Sequence, residues 1–174
     1  CATWSRARHL PGGPRPLRTR GRYAWGRPRQ QLTAAEAERL DEGNRLMLNH
    51  LALCEGVAQK GGVWMLEHPE DPGQAPYASI FDTEILRGVM SRTTAKQISF
   101  DQCMMGGPCK KPTRVAGTVA LEPAGARFCD GTHSHAKSFG KEKGTVSTTE
   151  LAAYPPRMCR WIAEGIATSL LTMA

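Results

Sequence analysis

From residue 33 onward the chain alternates long helical patterns with short apolar runs, and that alternation restricts its architecture more than any other feature. The stretch TAAEAERLDEGNRLMLNHLALCEGVAQKGG begins with Thr33 and Glu36, spaced as a capping box, and closes at Gly61 and Gly62. Leu40, Met47, Leu51 and Cys54 recur on one face of it, with Asn44 among them. The run GVWMLEHP follows at once, too short for a helix and as apolar as a strand buried on both faces, with Glu67 at its carboxyl end. The spacing predicts helices over 33–60, 78–91 and 154–173, and strands over 62–67, 96–101 and 113–119. On the last helix Met158, Ile162, Ile166 and Leu170 share a face.

A strand, a helix and a second strand in that rhythm imply a parallel pair, while the short turn MGGPCKKP before Thr113 implies an antiparallel hairpin at one edge. The expected fold class is therefore α/β, a mixed sheet with flanking helices. A chain of 174 residues suits one such core. It divides into a basic segment, 1–30, and the α/β domain, 31–174.

Residues 1–30 hold eight arginines and no acid, whereas the other 15 Lys and Arg nearly cancel 16 Asp and Glu. Arg6, Arg8, Arg15, Arg18, Arg20 and Arg22, interleaved with Trp4, Tyr23 and Trp25, suit phosphate contact and base stacking, which makes DNA or another polyanion the expected partner. Lys110 and Lys111 in the hairpin turn extend that list. The bland alternative is a solvated tail that touches nothing. No run reaches the ~18 apolar residues of a membrane span, and the basic segment lacks the apolar stretch of a secretory signal. Six scattered cysteines point to free thiols or a metal in a reducing, intracellular setting, the nucleus included.

Three stretches carry chemistry: CATWSRAR at the start, MLEHP at a strand end and MGGPCKKPT in the turn. Together with GPRPLRT, FDQC and CDGTHSH they resemble the cytosine-5 DNA methyltransferases, in the divergent form carried by some retrotransposon polyproteins. The resemblance implies an incomplete class I methyltransferase-like (Rossmann-like) sheet, with Cys1 as the nucleophile that adds to carbon 6 of cytosine and Glu67 as the acid facing the ring nitrogen. A base so attacked has left the duplex, and a cationic, aromatic-bearing segment would hold the opened strand. The match departs from the family at Trp4 for Phe, at His68 and Pro69 for Asn-Val, at Cys109 for Gln, and at Lys111 and Thr113 for two Arg. In that family the glycine-rich loop for S-adenosylmethionine lies ahead of the Pro-Cys loop. The resemblance thus implies the carboxyl-terminal half of such a domain, with its cofactor held by a missing amino-terminal half and no methyl transfer expected from this chain alone.

A competing reading is a metal-stabilised nucleic-acid-binding module. Cys129, His133 and His135 are spaced Cys-x3-His-x-His, and Cys103 or Cys109 would complete a tetrahedral zinc site across the hairpin. A further alternative, Cys1 acting with its own amine as base, requires a strand that CATWSRARHLPGG does not suggest.

Overall fold

The computed structural model describes residues 2–4, 8, 13–137 and 152–172. Cys1 and Arg6 lie outside the described residues.

Helix α1, Ala34–Gln59, starts as its residues dictate: Thr33 Oγ1 accepts the Glu36 amide at 3.2 Å, and Glu36 Oε2 accepts the Thr33 amide at 2.9 Å. It buries Leu40, Gly43, Met47, Leu51 and Cys54 and stops where Gly61 takes a φ of +74°. The predicted helix over 78–91 is two pieces. A 3-10 turn, Ile80–Asp82, ends at Thr83, whose Oγ1 then accepts the Leu86 amide and starts α2, Glu84–Arg92.

The strands are β1, Met65–Pro69, β2, Lys96–Asp101, and β3, Pro112–Gly117. The sheet order is β1-β3-β2, with β3 antiparallel to both neighbours. This corrects the expected mixed sheet. β1 and β2 do run in the same direction with α2 between them, but the hairpin return from β2 places β3 in the slot where parallel neighbours would have paired. Gly117 makes the β1–β3 contact possible, since a Cβ there would stand 2.2 Å from the Trp64 carbonyl oxygen. β1 also begins later than predicted and continues through His68 and Pro69. A proline is tolerated there because β1 is an edge strand.

The sheet is covered on both faces. On one, Leu66 and Ala116 meet Met47, Leu51 and Cys54 of α1, Leu86 and Val89 of α2, and Trp4. On the other, Phe100 and Val115 meet Met158 and Trp161 of α3, Pro156–Leu171. The buried face of α3 is Met158, Trp161, Gly165 and Ser169, whereas Ile166 and Leu170 of the predicted face are exposed. The rotation has a cause in small residues. A Cβ on Gly165 would lie 2.8 Å from Leu121 and 3.1 Å from the Ala120 carbonyl, and Ser169 Oγ accepts the Ala120 amide at 2.7 Å. Backbone approach, not apolar surface, sets how this helix docks. No helix among the described residues is long and apolar enough to cross a membrane.

Candidate functional site

The chemistry-bearing residues collect at the end of the sheet where β1 and β2 stop and β3 begins. β2 runs into a 3-10 turn, Gln102–Met105, reversed by Gly106 at φ +91°. Gln102 pins this turn: its amide donates to the Lys111 carbonyl at 3.1 Å and its side-chain amide to Thr113 Oγ1 at 3.0 Å. The loop 127–137 is stitched alongside. The Asp101 amide donates to the Arg127 carbonyl at 2.9 Å, and the Cys129 amide to Asp101 Oδ2 at 2.8 Å. At the other end the Ala136 amide donates to the Pro108 carbonyl at 2.8 Å and the Cys109 thiol to the Ala136 carbonyl at 3.0 Å.

Between those anchors the loop brings its soft donors together. Gly131, at φ +79°, makes the reversal, and His133 and His135, two apart, bring both Nε2 atoms to Cys129 Sγ at 3.9 and 3.4 Å. Buried Cys103 is the fourth member, and the four donor atoms lie within 4.8 Å of one another. A tetrahedron of zinc–sulfur and zinc–nitrogen bonds has edges of roughly 3.3–3.8 Å. The four donors therefore need only a small contraction, and this Cys2His2 set can hold a metal ion such as zinc. All four positions would be protein ligands, the arrangement of a structural site. Burial, and then the neighbouring Cys129, raise the Cys103 thiol to about 11, so a metal would displace its proton on binding. Cys109 is not in the cluster, its thiol being spent on Ala136. The described cysteines are all free.

Glu67 lies on the α3 face of β1, opposite Val115 in register. Its Oε2 accepts the Tyr154 hydroxyl at 2.9 Å, and its Oε1 is buried without a hydrogen-bond partner. Burial and the Glu67 charge push the Tyr154 hydroxyl well above its ordinary pKa. Lys111 sits 5.9 Å from the centre of the Tyr154 ring. Trp4 is on the other face, edge-on to His68 at 6.4 Å. The segment that follows Cys1 is thus brought to His68 and not to Glu67, because successive strand residues point to opposite faces. His68 is buried on the face that also carries Leu66, as its alternation with Leu66 along the strand dictates. Burial above all lowers its pKa to about 4, with the charge on Arg18 a lesser contribution, leaving a neutral imidazole at pH 7.

The described part of the basic segment lies against the fold, on α1 through Arg18 and on the segment between β1 and α2 through Arg20. Arg18 is 1% exposed, which leaves it no surface to offer a polyanion. Its guanidinium donates to the Ala24 carbonyl at 3.1 Å, Asn44 Oδ1 at 2.8 Å and Thr3 Oγ1 at 2.9 Å, and lies 4.1 Å over the Trp4 ring. Burial, then the nearby Arg8, lower its pKa to about 9. Arg20 pairs with Asp71 at 2.7 Å and Asp82 at 3.1 Å. Arg15 donates to the Gln31 carbonyl at 2.6 Å, and Arg8 to the Arg15 carbonyl at 2.8 Å. Arg22 stacks on Tyr23 and donates to its hydroxyl. Of the turn lysines, Lys110 stands 3.6 Å from Asp101 Oδ2 and Lys111 is half-buried.

No family model, no curated protein and no solved structure matches this chain. The described residues do not fit S-adenosylmethionine. The connection from β1 to α2 is a proline-bearing loop with Gly73 as its one glycine, and the Leu86 amide in the first turn of α2 is taken by Thr83.

Proposed function

We propose that this chain is a zinc-bearing, methyltransferase-like domain that engages DNA, of cytosine-5 type by ancestry. The observation that carries the reading is convergence: MLEHP, the Thr3–Trp4 segment and the turn MGGPCKKPT, far apart in sequence, meet at one end of one sheet. The carboxyl ends of strands are where open α/β sheets recruit ligands. The same-direction pair β1 and β2, joined through α2, is what an incomplete Rossmann-like sheet would retain. In this reading Cys1 adds to carbon 6 of cytosine, the carbon 5–carbon 6 π bond becomes nucleophilic at carbon 5, and an acid at the sheet end protonates the ring nitrogen. Lys110, Lys111 and Arg22 supply phosphate contacts.

The Cys2His2 cluster favours a second reading, a zinc-stabilised nucleic-acid-binding module without catalysis. Two measurements separate them. The zinc-loaded chain is expected to bind DNA with log K falling linearly against log salt, about 0.9 per phosphate neutralised; no binding at about 50 mM salt overturns both readings. Cytosine in bound DNA, incubated in D2O, is expected to exchange its carbon-5 hydrogen for deuterium, because thiolate addition at carbon 6 lets carbon 5 take a deuteron before proton loss and thiolate expulsion restore the ring. Exchange lost in Cys1→Ser supports the methyltransferase-like reading, and binding without exchange leaves the module. Methyl transfer itself is not expected, for want of a cofactor site.

A further inference from the structure

We infer that Phe128 is a stacking platform for an unpaired nucleobase, flanked by Lys110 and Arg127 as phosphate contacts; this rests on the nucleic-acid reading above. Phe128 is 65% exposed, the most exposed aromatic side chain among the described residues. This exposure is not the accident of a loose backbone. The residue before it gives its carbonyl to the Asp101 amide, and the residue after it gives its amide to Asp101 Oδ2. Asp101 is itself 2% exposed, at the end of a central-layer strand, so both flanks of Phe128 are fixed to the sheet. The backbone that carries the exposed ring is anchored on both sides.

The surroundings select the partner. Lys110 approaches the same Asp101 oxygen that receives the Cys129 amide, at 3.6 Å, which brings its ammonium beside the anchored backbone of Phe128 while half of that side chain stays exposed. Arg127 is exposed, and the loop continues with Asp130, Thr132, His133 and Ser134, all exposed. A single apolar ring on a polar, cationic surface offers a protein partner little to bury. It suits a flat ring with a π face and phosphates on either side. Bases in a duplex already stack on both faces, so only an unpaired base has one to give. The neighbouring Cys2His2 cluster would hold the far side of the same loop.

The test is binding of the 174-residue chain, with one equivalent of Zn2+, to a single-stranded oligonucleotide and to its duplex at fixed salt. Phe128→Ala is expected to weaken single-strand binding roughly ten-fold or more, to change duplex binding less than about two-fold, and to leave zinc content and thermal midpoint unchanged. Phe128→Trp is expected to retain single-strand affinity. Lys110→Ala and Arg127→Ala are each expected to lower binding to both forms and reduce the salt slope by about 1. Equal losses on single strand and duplex, or no loss for Phe128→Ala, overturn the stacking role while leaving DNA binding intact. If the unaltered chain binds neither form, the nucleic-acid reading fails and this inference with it.

Discussion

Arg18 and Arg22 are four residues apart in one arginine-rich run, and sequence gives no reason to treat them differently. Folded, one is a buried bracket and the other an exposed cation. Arg18 reaches Thr3, Ala24 and Asn44 with two nitrogens of a planar fork, and a Cβ on Gly43 would stand 2.6 Å from Thr3 Oγ1, so the bracket closes only because α1 carries glycine there. Lysine keeps the charge but not the fork. Arg18→Lys is expected to destabilise the fold by about 2 kcal/mol in urea unfolding, since buried acceptors lose their donors, whereas Arg22→Lys is expected to stay within about 0.5 kcal/mol. Equal effects would mean that the bracket contributes nothing. The same scale explains Glu67 and His68. A strand read over 62–67 ends on Glu67, but the strand continues to Pro69 and presents His68, not Glu67, to the Trp4 face. One residue of strand parity decides which of two adjacent polar side chains meets a given segment.

Elements with a strong local signal were legible. α1 is bounded by a capping box and a left-handed glycine, and both are written in sequence; the predicted 33–60 and the observed Ala34–Gln59 agree to a residue at either end. β2 matches its predicted span, 96–101. α3 was found but its face was misjudged, because periodicity counts apolar residues and takes no account of how near a backbone can come. Gly165 and Ser169 dock against Ala120 and Leu121, and Ile166 and Leu170 turn outward. Accordingly Gly165→Val is expected to cost about 2 kcal/mol through overpacking, while Leu170→Ala is expected to change stability by less than about 0.5 kcal/mol. Thermal unfolding of the two variants measures the difference; the reverse order would restore the predicted face. The sheet order was not legible for a related reason. Strand patterns give direction and burial, but the neighbour of an edge is chosen by where a turn delivers the next strand.

At the scale of the whole molecule the Cys2His2 cluster joins a loop without regular structure to the end of the sheet. Three of its members were legible from Cys-x3-His-x-His. Cys103 is the fourth ligand expected, with Cys109 its alternative, and the fold brings Cys103 to the other three through the turn at Gly106 while the Cys109 thiol is taken by Ala136. Zinc held by the folded chain and not by the unfolded one stabilises it by about 4 kcal/mol at a thousand-fold excess over the dissociation constant. A rise in thermal midpoint with one equivalent of Zn2+ is therefore expected, abolished by Cys129→Ser and by chelator, and greater at pH 8 than at pH 6 because the Cys103 thiol must lose a proton to bind. Amide protons of residues 131–135 should gain exchange protection with the metal, whereas that of Cys129, already held by Asp101, changes least. No change in midpoint or protection would remove zinc from the account.

The strand at the centre of the sheet is the last of the three to be synthesised. Until residues 112–117 leave the ribosome, β1 and β2 have no hydrogen-bonding neighbour between them, although α1 and α2 can already meet through their apolar faces. Among the described residues every strand pairing involves β3, and β1 must wait some forty residues of chain for its partner. β2 and β3 can close on each other as a local hairpin, whereas β1 has to be brought back to the exposed side of β3 from far earlier in the chain, which makes its docking the slow step of sheet assembly.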